Sequence, residues 1–180
     1  MRALLTLLPL LTLACAPAAR LATATSEPTT VYVVRHAEKE SGSAPGLTPQ
    51  GEARAGFYAA FFAETDLAAV YSTDTRRTLA TARPLAEAQD LPVTEYASGL
   101  DFAAFAKTLL ERHVGEAIFV VGHSNTVPLL VNALAKVDTH DDIPHDDYAR
   151  LYQVVTRGGA SAEVREFRVP IDAPATMGAE

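Results

Sequence analysis

The chain is poor in several features, and each shortage closes a class of explanation. Of its 180 residues one is cysteine, Cys15, so no disulfide can form within the chain. Bases are in deficit: 15 Lys and Arg stand against 22 Asp and Glu, a formal charge of −7. No basic footprint for nucleic acid is present, and no Lys/Arg cluster marks an anionic membrane surface. If so acidic a chain handles an anion, its positive field has to be assembled locally, inside a pocket, with weak long-range steering. No internal repeat of solenoid period appears. The N-terminal apolar run, Ala3–Ala14, is far short of the ~20 residues of a spanning helix.

What remains suits one packed domain. Hydrophobic residues make up 48% of the chain, enough for a single core but not two. One base, Arg2, precedes Ala3–Ala14, which reads as the apolar part of a signal peptide over residues 1–14. Leu11-Thr12-Leu13-Ala14-Cys15 resembles a bacterial lipobox, with Thr12 at a place where Leu is usual, and makes Cys15 the expected lipid attachment site. Ordinary signal cleavage near Ala16-Pro17-Ala18 is the competing reading. The expectation is an exported protein, lipid-anchored in the cell envelope or otherwise periplasmic or secreted. Residues 15–29, rich in Ala, Thr, Pro and Ser, read as a flexible tether, 30–170 as the folded domain and 171–180 as a tail.

From Thr30 onward strand-like and helix-like pieces alternate. Val31–Val34 is a buried strand by its β-branched run. Thr48-Pro49 is a helix start, Thr as N-cap and Pro at the first helical position, with Ala53, Phe57, Ala60 and Phe61 on one face. Leu67–Tyr71 is a short strand. Asp74 is expected to cap a helix running to about Gln89, kinked or broken early by Pro84. Pro92–Glu95 is a third strand. Asp101 caps a helix whose Phe102, Phe105, Ala106, Leu109 and Leu110 follow helical spacing. Ala117–Val121 is a strand, Val127–Lys136 a helix capped by Ser124 or Asn125, and 136–147 a polar loop. Leu151–Thr156 and Ala162–Val169 flank Arg157-Gly158-Gly159 as an antiparallel hairpin. The expected fold is α/β: a single three-layer αβα domain, mostly parallel sheet with helices on both faces, closed by that hairpin.

Two segments share one design. Val33-Val34-Arg35-His36 and Val120-Val121-Gly122-His123 each put a histidine just past a buried strand. The carboxyl ends of parallel strands form the ligand crevice of an open α/β sheet, so neighbouring strands would bring both imidazoles into one crevice. Either histidine alone would more often be a satisfied structural residue; two at equivalent strand ends, one with Arg35 beside it, are hard to ascribe to packing. Ser72–Thr78 adds Arg77 in the first turn of a helix, where free N–H groups and the dipole favour an anion.

These pieces resemble the histidine phosphatase superfamily, branch 1, which includes phosphoglycerate mutase-like enzymes and small phosphohistidine phosphatases. Arg35-His36-Ala37 is similar to its Arg-His-Gly signature, with Ala in place of Gly. Gly46-Leu47-Thr48-Pro49-Gln50-Gly51 is similar to its Leu-Thr-x-x-Gly helix start, Tyr71–Arg77 with Thr81-Ala82 to its Tyr-Ser-Ser…Arg…Thr-Ala segment, and Gly122-His123-Ser124 to its second histidine motif. Together the resemblance spans Val31 to about Ala135.

The resemblance implies a phosphoric monoester hydrolase working through a phosphohistidine on His36, without metal or cofactor. Arg35 and Arg77 would grip phosphate oxygens and His123 would stabilise developing charge. The partner is a small phosphate ester or a phosphoprotein, neither nucleic acid nor membrane beyond a lipid on Cys15. The general acid is unassigned: Glu95 and Asp101 lie in the right region, Asp101 being more simply a helix cap. Glu38 is expected to pair with an arginine or Lys39, or to face solvent. The His- and Asp-rich stretch Thr139–Asp147 follows no ligand spacing and reads as a solvated acidic loop, with a place at the border of the pocket left open. A non-catalytic phosphate-binding module of the same fold and a phosphomutase are the rival readings.

Overall fold

The structure, a computed structural model, describes residues 27–157 and 162–169. The signal segment, Cys15, residues 15–26 of the tether, Gly158 and Gly159 of the hairpin turn, and the 171–180 tail lie outside the described residues.

Among the described residues ten elements follow one another: β1 (Thr29–Arg35), α1 (Pro49–Phe61), β2 (Leu67–Thr73), α2 (Arg76–Ala88), β3 (Val93–Tyr96), α3 (Phe102–Arg112), β4 (Ala117–Gly122), α4 (Thr126–Ala135), β5 (Arg150–Thr156) and β6 (Glu163–Arg168). They build one six-stranded sheet in the order β3-β2-β4-β1-β5-β6. The first four strands in sequence are mutually parallel where they pair; β5 runs antiparallel to β1, and β6 antiparallel to β5. The mostly parallel sheet with a terminal antiparallel hairpin is as the sequence implied. The first strand begins two residues before the expected Val31: Thr29, placed in the tether, is buried in β1 and donates its hydroxyl to His113 O at 2.9 Å.

Side-chain alternation along the strands divides the core into two layers, one on each face of the sheet. Val31 and Val33 of β1, with Ile118 and Val120 of β4, pack against Leu109 of α3 and Val127, Leu130 and Val131 of α4. Val34, Phe119 and Val121 point the other way, onto Tyr58 and Phe62 at α1 and Ala82, Leu85 and Ala86 of α2. The period of two places helices on both faces, and each fully buried Val, Leu, Ile or Phe contributes about 1.5–3 kcal/mol. Phe119 sits between Tyr58 and Phe62, ring centroids 5.5 and 5.3 Å away.

Several local expectations need correction. In α1 the buried residues are Gly51, Arg54, Ala55 and Tyr58; Ala53 and Ala60 are exposed, and Phe57 and Phe61 only half-buried. The sheet-facing stripe is displaced because Arg54 turns inward, its charge neutralised by Glu38. Asp74 does not cap α2. Thr75 occupies the N-cap, and its side chain makes no capping bond to the backbone. The helix also continues through Pro84 to Ala88 without a break, Thr81 and Leu85 being fully buried on either side. Asn125 is the N-cap of α4 without a side-chain bond; the turn is tied instead by Thr126 Oγ1, which accepts from His123 N at 2.8 Å. Two caps form as expected: Thr48 Oγ1 accepts from Gly51 N at 3.1 Å, and Asp101 Oδ1 from Ala103 N at 2.9 Å.

Candidate active site

β1 and β4 are hydrogen-bonded neighbours in a register that sets Arg35 opposite Gly122. The ladder extends one step further, His36 N donating to Gly122 O at 2.9 Å. His36 and His123 therefore leave the sheet side by side, their ring centroids 5.6 Å apart and their planes inclined at 67°. Gly122 is required there for steric reasons. A Cβ would lie 2.9 Å from Thr126 Oγ1 and 3.0 Å from Tyr96 OH, the latter hydroxyl being engaged to Val121 O.

The hydrogen bonds assign both imidazole tautomers. His36 Nδ1 is 2.8 Å from Ala37 O, an atom that only accepts, so Nδ1 carries the proton and Nε2 keeps its lone pair. His36 is almost fully buried, and desolvation, aided by the nearby charges of Arg35 and Arg77, lowers its pKa to about 3. It is a neutral imidazole at neutral pH. His123 Nδ1 accepts from Arg77 Nη2 at 3.1 Å, because a guanidinium only donates. Its Nε2–H accordingly donates to Thr73 Oγ1 at 2.9 Å, and Thr73 Oγ1 in turn donates to Thr78 Oγ1. Burial, then Arg77 and Arg35, bring its pKa to about 4, with Asp74 acting weakly the other way.

The arginines reach the histidines from two elements. Arg77 stands in the first turn of α2. Arg35, 2% exposed, lowers the pKa of both histidines by its charge, and Arg77 in turn lowers that of Arg35. Among the described residues three buried side-chain polar atoms lack a hydrogen-bond partner: Arg35 Nε, Arg77 Nε and Tyr58 OH. An orphaned buried donor is costly, and here two belong to guanidinium groups beside one pair of histidines. An oxyanion is the chemical species that would satisfy both at once, since the guanidinium fork matches its geometry. Positive charge is thus concentrated locally in a chain whose total is −7.

The structure brings His36, Arg35, Arg77 and His123 together. The other residues named from the sequence separate from them to different degrees. Asp101 is a solvent-exposed helix cap. Glu95 is exposed and shares a recess of about 220 Å³ with Asp74 and Tyr96. Asp74 is close enough to act electrostatically on His123. Glu38 is bound by Arg54, whose Nη2 and Nε reach its two oxygens at 2.8 and 3.0 Å, which settles its partner as an arginine. Ala37 accommodates its extra methyl fully buried and without a positive φ. The loop read as solvated does border the site. Pro144 O and Asp147 O accept from Arg35 Nη1 at 2.9 and 3.0 Å. Its His140 bonds Asn132 Oδ1, and no group of three metal-ligating side chains gathers among the described residues.

Sequence reasoning gave several contributors no role in the site. Thr81 Oγ1 accepts from Ala37 N at 3.0 Å and donates to Arg77 O at 2.8 Å, locking the segment after His36 to α2. Thr73 and Thr78 hold the far side of His123. Tyr148 lies over Arg35, 4.1 Å from guanidinium carbon to ring centroid, and 5.9 Å from the His36 ring. Thr73 at the end of a buried strand, and Thr78 and Thr81 spaced along one face of α2, were usable signals for the first three; nothing in the local pattern pointed to Tyr148.

The family model described as the histidine phosphatase superfamily (branch 1) matches residues 31–98. Solved structures similar to this chain include the protein histidine phosphatase SixA complexed with tungstate: TM-score 0.63, 16% identity, 77% of this chain and 96% of that one covered. A mycobacterial glucosyl-3-phosphoglycerate phosphatase gives 0.60 at 15% identity, covering 79% and 99%. YhfR of Bacillus stearothermophilus gives 0.62 at 18% identity, covering 82% and 98%. Identities this low establish the fold. No curated protein sequence matches significantly. Among the described residues no helix is long and apolar enough to cross a membrane.

Proposed function

We propose, from the premise that this chain belongs to the histidine phosphatase superfamily (branch 1), that it is a phosphatase acting on a phosphomonoester or a phosphohistidine with His36 as nucleophile. The observation that carries the reading is the His36 tautomer: Nδ1 is occupied by Ala37 O, and a neutral Nε2 stands beside two arginines with partnerless buried donors. The tungstate held by SixA, a protein of the same fold, supports an oxyanion as ligand.

In this reading the Nε2 lone pair of His36 forms a bond to phosphorus while the bond from phosphorus to the leaving group breaks in line, its electron pair departing with that group. Arg35 and Arg77 neutralise the equatorial oxygens, and Arg77 turns from His123 to the anion. His123, relieved of that guanidinium at Nδ1, takes up a proton there and donates to the same phosphoryl group. Water then attacks phosphorus, the N–P bond breaks, and inorganic phosphate leaves with His36 again neutral. A poor alkoxide leaving group needs a proton. Asp74 and Glu95, sharing their recess, replace Asp101 as the carboxylates from which it would come. A phosphohistidine or acyl phosphate leaves more readily and lessens that need.

For the N-terminus the proposal is export through residues 1–14, a lipid on Cys15 and a short tether, placing the domain in the cell envelope. Incubating the protein in chelator with a set of phosphomonoesters and phosphohistidine peptides tests the reaction. Phosphate release that His36→Ala abolishes is the expected result. A wild type that binds vanadate but releases nothing would favour the binding module, and transfer of phosphate between two positions of a sugar acid would favour a mutase.

A further inference from the structure

The loop between α4 and β5 has an organisation that its exposed, acidic sequence does not suggest. It is pinned at two points. Ile143, 3% exposed, donates its N–H to Ser124 O at 2.9 Å, tying the loop to the residue after His123. Five residues from there Tyr148 meets Arg35, and between them Asp147 is clamped by three donors. Arg150 Nε lies at 2.7 Å, Arg168 Nη1 at 2.8 Å and Ala149 N at 3.2 Å from its carboxylate. Arg150 and Arg168 face one another in the register of β5 and β6, so the terminal hairpin holds this end of the loop.

What the pinned loop does is grip one side of Arg35. Nη1 donates to Pro144 O and Asp147 O, and the Tyr148 ring lies against the guanidinium plane. The loop carbonyls take Nη1 and leave Nε, buried and without a partner. Nε with Nη2 forms the side-on edge of a guanidinium, the edge that receives an oxyanion through two parallel hydrogen bonds. A free arginine side chain is rich in rotamers and loses that freedom on binding; a guanidinium already stacked and doubly bonded does not. The surroundings oppose a charged Arg35: burial lowers its pKa and so does Arg77, while Tyr148, Asp147 and Asp146 act in the other direction.

We propose that residues 144–148 form a cradle that pre-orients Arg35 for oxyanion binding, with Tyr148 as the positioning residue and Asp147 as the link to the terminal hairpin. This rests on the reading of Arg35 as a phosphate-gripping residue and assigns the hairpin a part in binding. It predicts that the ring of Tyr148, not its hydroxyl, matters.

The test compares wild type, Tyr148→Phe, Tyr148→Leu and Tyr148→Ala in the full folded domain, reading tungstate affinity by calorimetry, thermal midpoint, and kcat and KM for phosphate release. Removing the ring is expected to weaken tungstate binding by about tenfold and lower kcat/KM by a similar factor, with the thermal midpoint nearly unmoved and Tyr148→Phe restoring most of the loss. Wild-type tungstate affinity in both Tyr148→Leu and Tyr148→Ala overturns the cradle while leaving phosphatase activity standing. Tungstate binding that depends on the ring, in a wild type that releases no phosphate, supports the cradle and overturns the phosphatase reading. A wild type that binds no tungstate overturns both.

Discussion

Arg77 donates to His123 Nδ1 across 3.1 Å, so its guanidinium occupies the ring nitrogen that the proposed mechanism offers to phosphate. The contact explains two things together. It holds the His123 ring against Thr73 in one tautomer, and by its charge it helps bring the pKa of His123 to about 4. An arriving oxyanion competes for Arg77 and replaces positive by negative charge beside the ring. Both changes raise the affinity of Nδ1 for a proton.

Anion binding should therefore be coupled to proton uptake. A group whose pKa rises on complex formation binds a proton with the ligand, so affinity increases as pH falls toward the free-state value. Sulfate is a suitable probe because it remains a dianion through this range. From about pH 8 to about pH 5 its affinity is expected to strengthen, approaching about tenfold for each pH unit, and His123→Gln is expected to flatten the profile. Titration calorimetry in buffers of different ionisation enthalpy measures the proton directly. An affinity independent of pH in the wild type would contradict the coupling.

His36 predicts an acid sensitivity of the fold itself. Its folded pKa, about 3, lies below the ordinary histidine value. Between the two values the unfolded chain binds the proton and the folded chain does not, so stability falls as pH drops from about 6.5 toward about 3. Between about pH 6.5 and about pH 4 this residue alone should remove roughly 3 kcal/mol. Denaturant melts of wild type and His36→Ala across that interval isolate it. The variant is expected to lose less stability on acidification, and parallel profiles would show that His36 is not held neutral by burial.

Two glycines of α1 make opposite predictions. At Gly51 a Cβ would come 2.1 Å from Glu38 O, a backbone atom that also accepts from Thr48 N. At Gly56, exposed in the same helix, a Cβ would meet nothing within 4 Å. Gly51→Ala is expected to destabilise by about 2 kcal/mol or more through forced separation of α1 from the strand-end segment. Gly56→Ala should stabilise by about 0.5–1 kcal/mol through helix propensity. Denaturant unfolding of both variants checks the pair; equal effects would remove the steric account of the Leu-Thr-x-x-Gly segment.

The parts of the fold legible in the sequence were those written in local pattern. Val31–Val34 and Ala117–Val121 are continuous apolar runs with strand chemistry, and Phe102–Leu110 repeats at helical spacing behind a capping Asp101. The convergence of His36 and His123 could be read because both follow such runs and parallel neighbours end on one edge. What stayed hidden depends on partners distant in the chain. Arg54 drew no notice as a buried residue, because its neutralising carboxylate, Glu38, is 16 residues away. Pro84 suggested a broken helix, yet α2 continues through it between fully buried Thr81 and Leu85. Tyr148 sits in a polar loop of no period, and its position follows from Arg35, more than a hundred residues earlier in the chain.

The central claim, that His36 Nε2 takes up a phosphoryl group, is tested most directly by rapid quench of the folded protein with a 32P-labelled substrate that it turns over, under conditions preserving acid-labile N–P bonds. The account predicts radiolabel bound to protein, stable to alkali, lost in acid, mapping to His36 by fragmentation and missing from His36→Ala. Undiminished phosphate release by His36→Ala, or label residing on another residue, would contradict it.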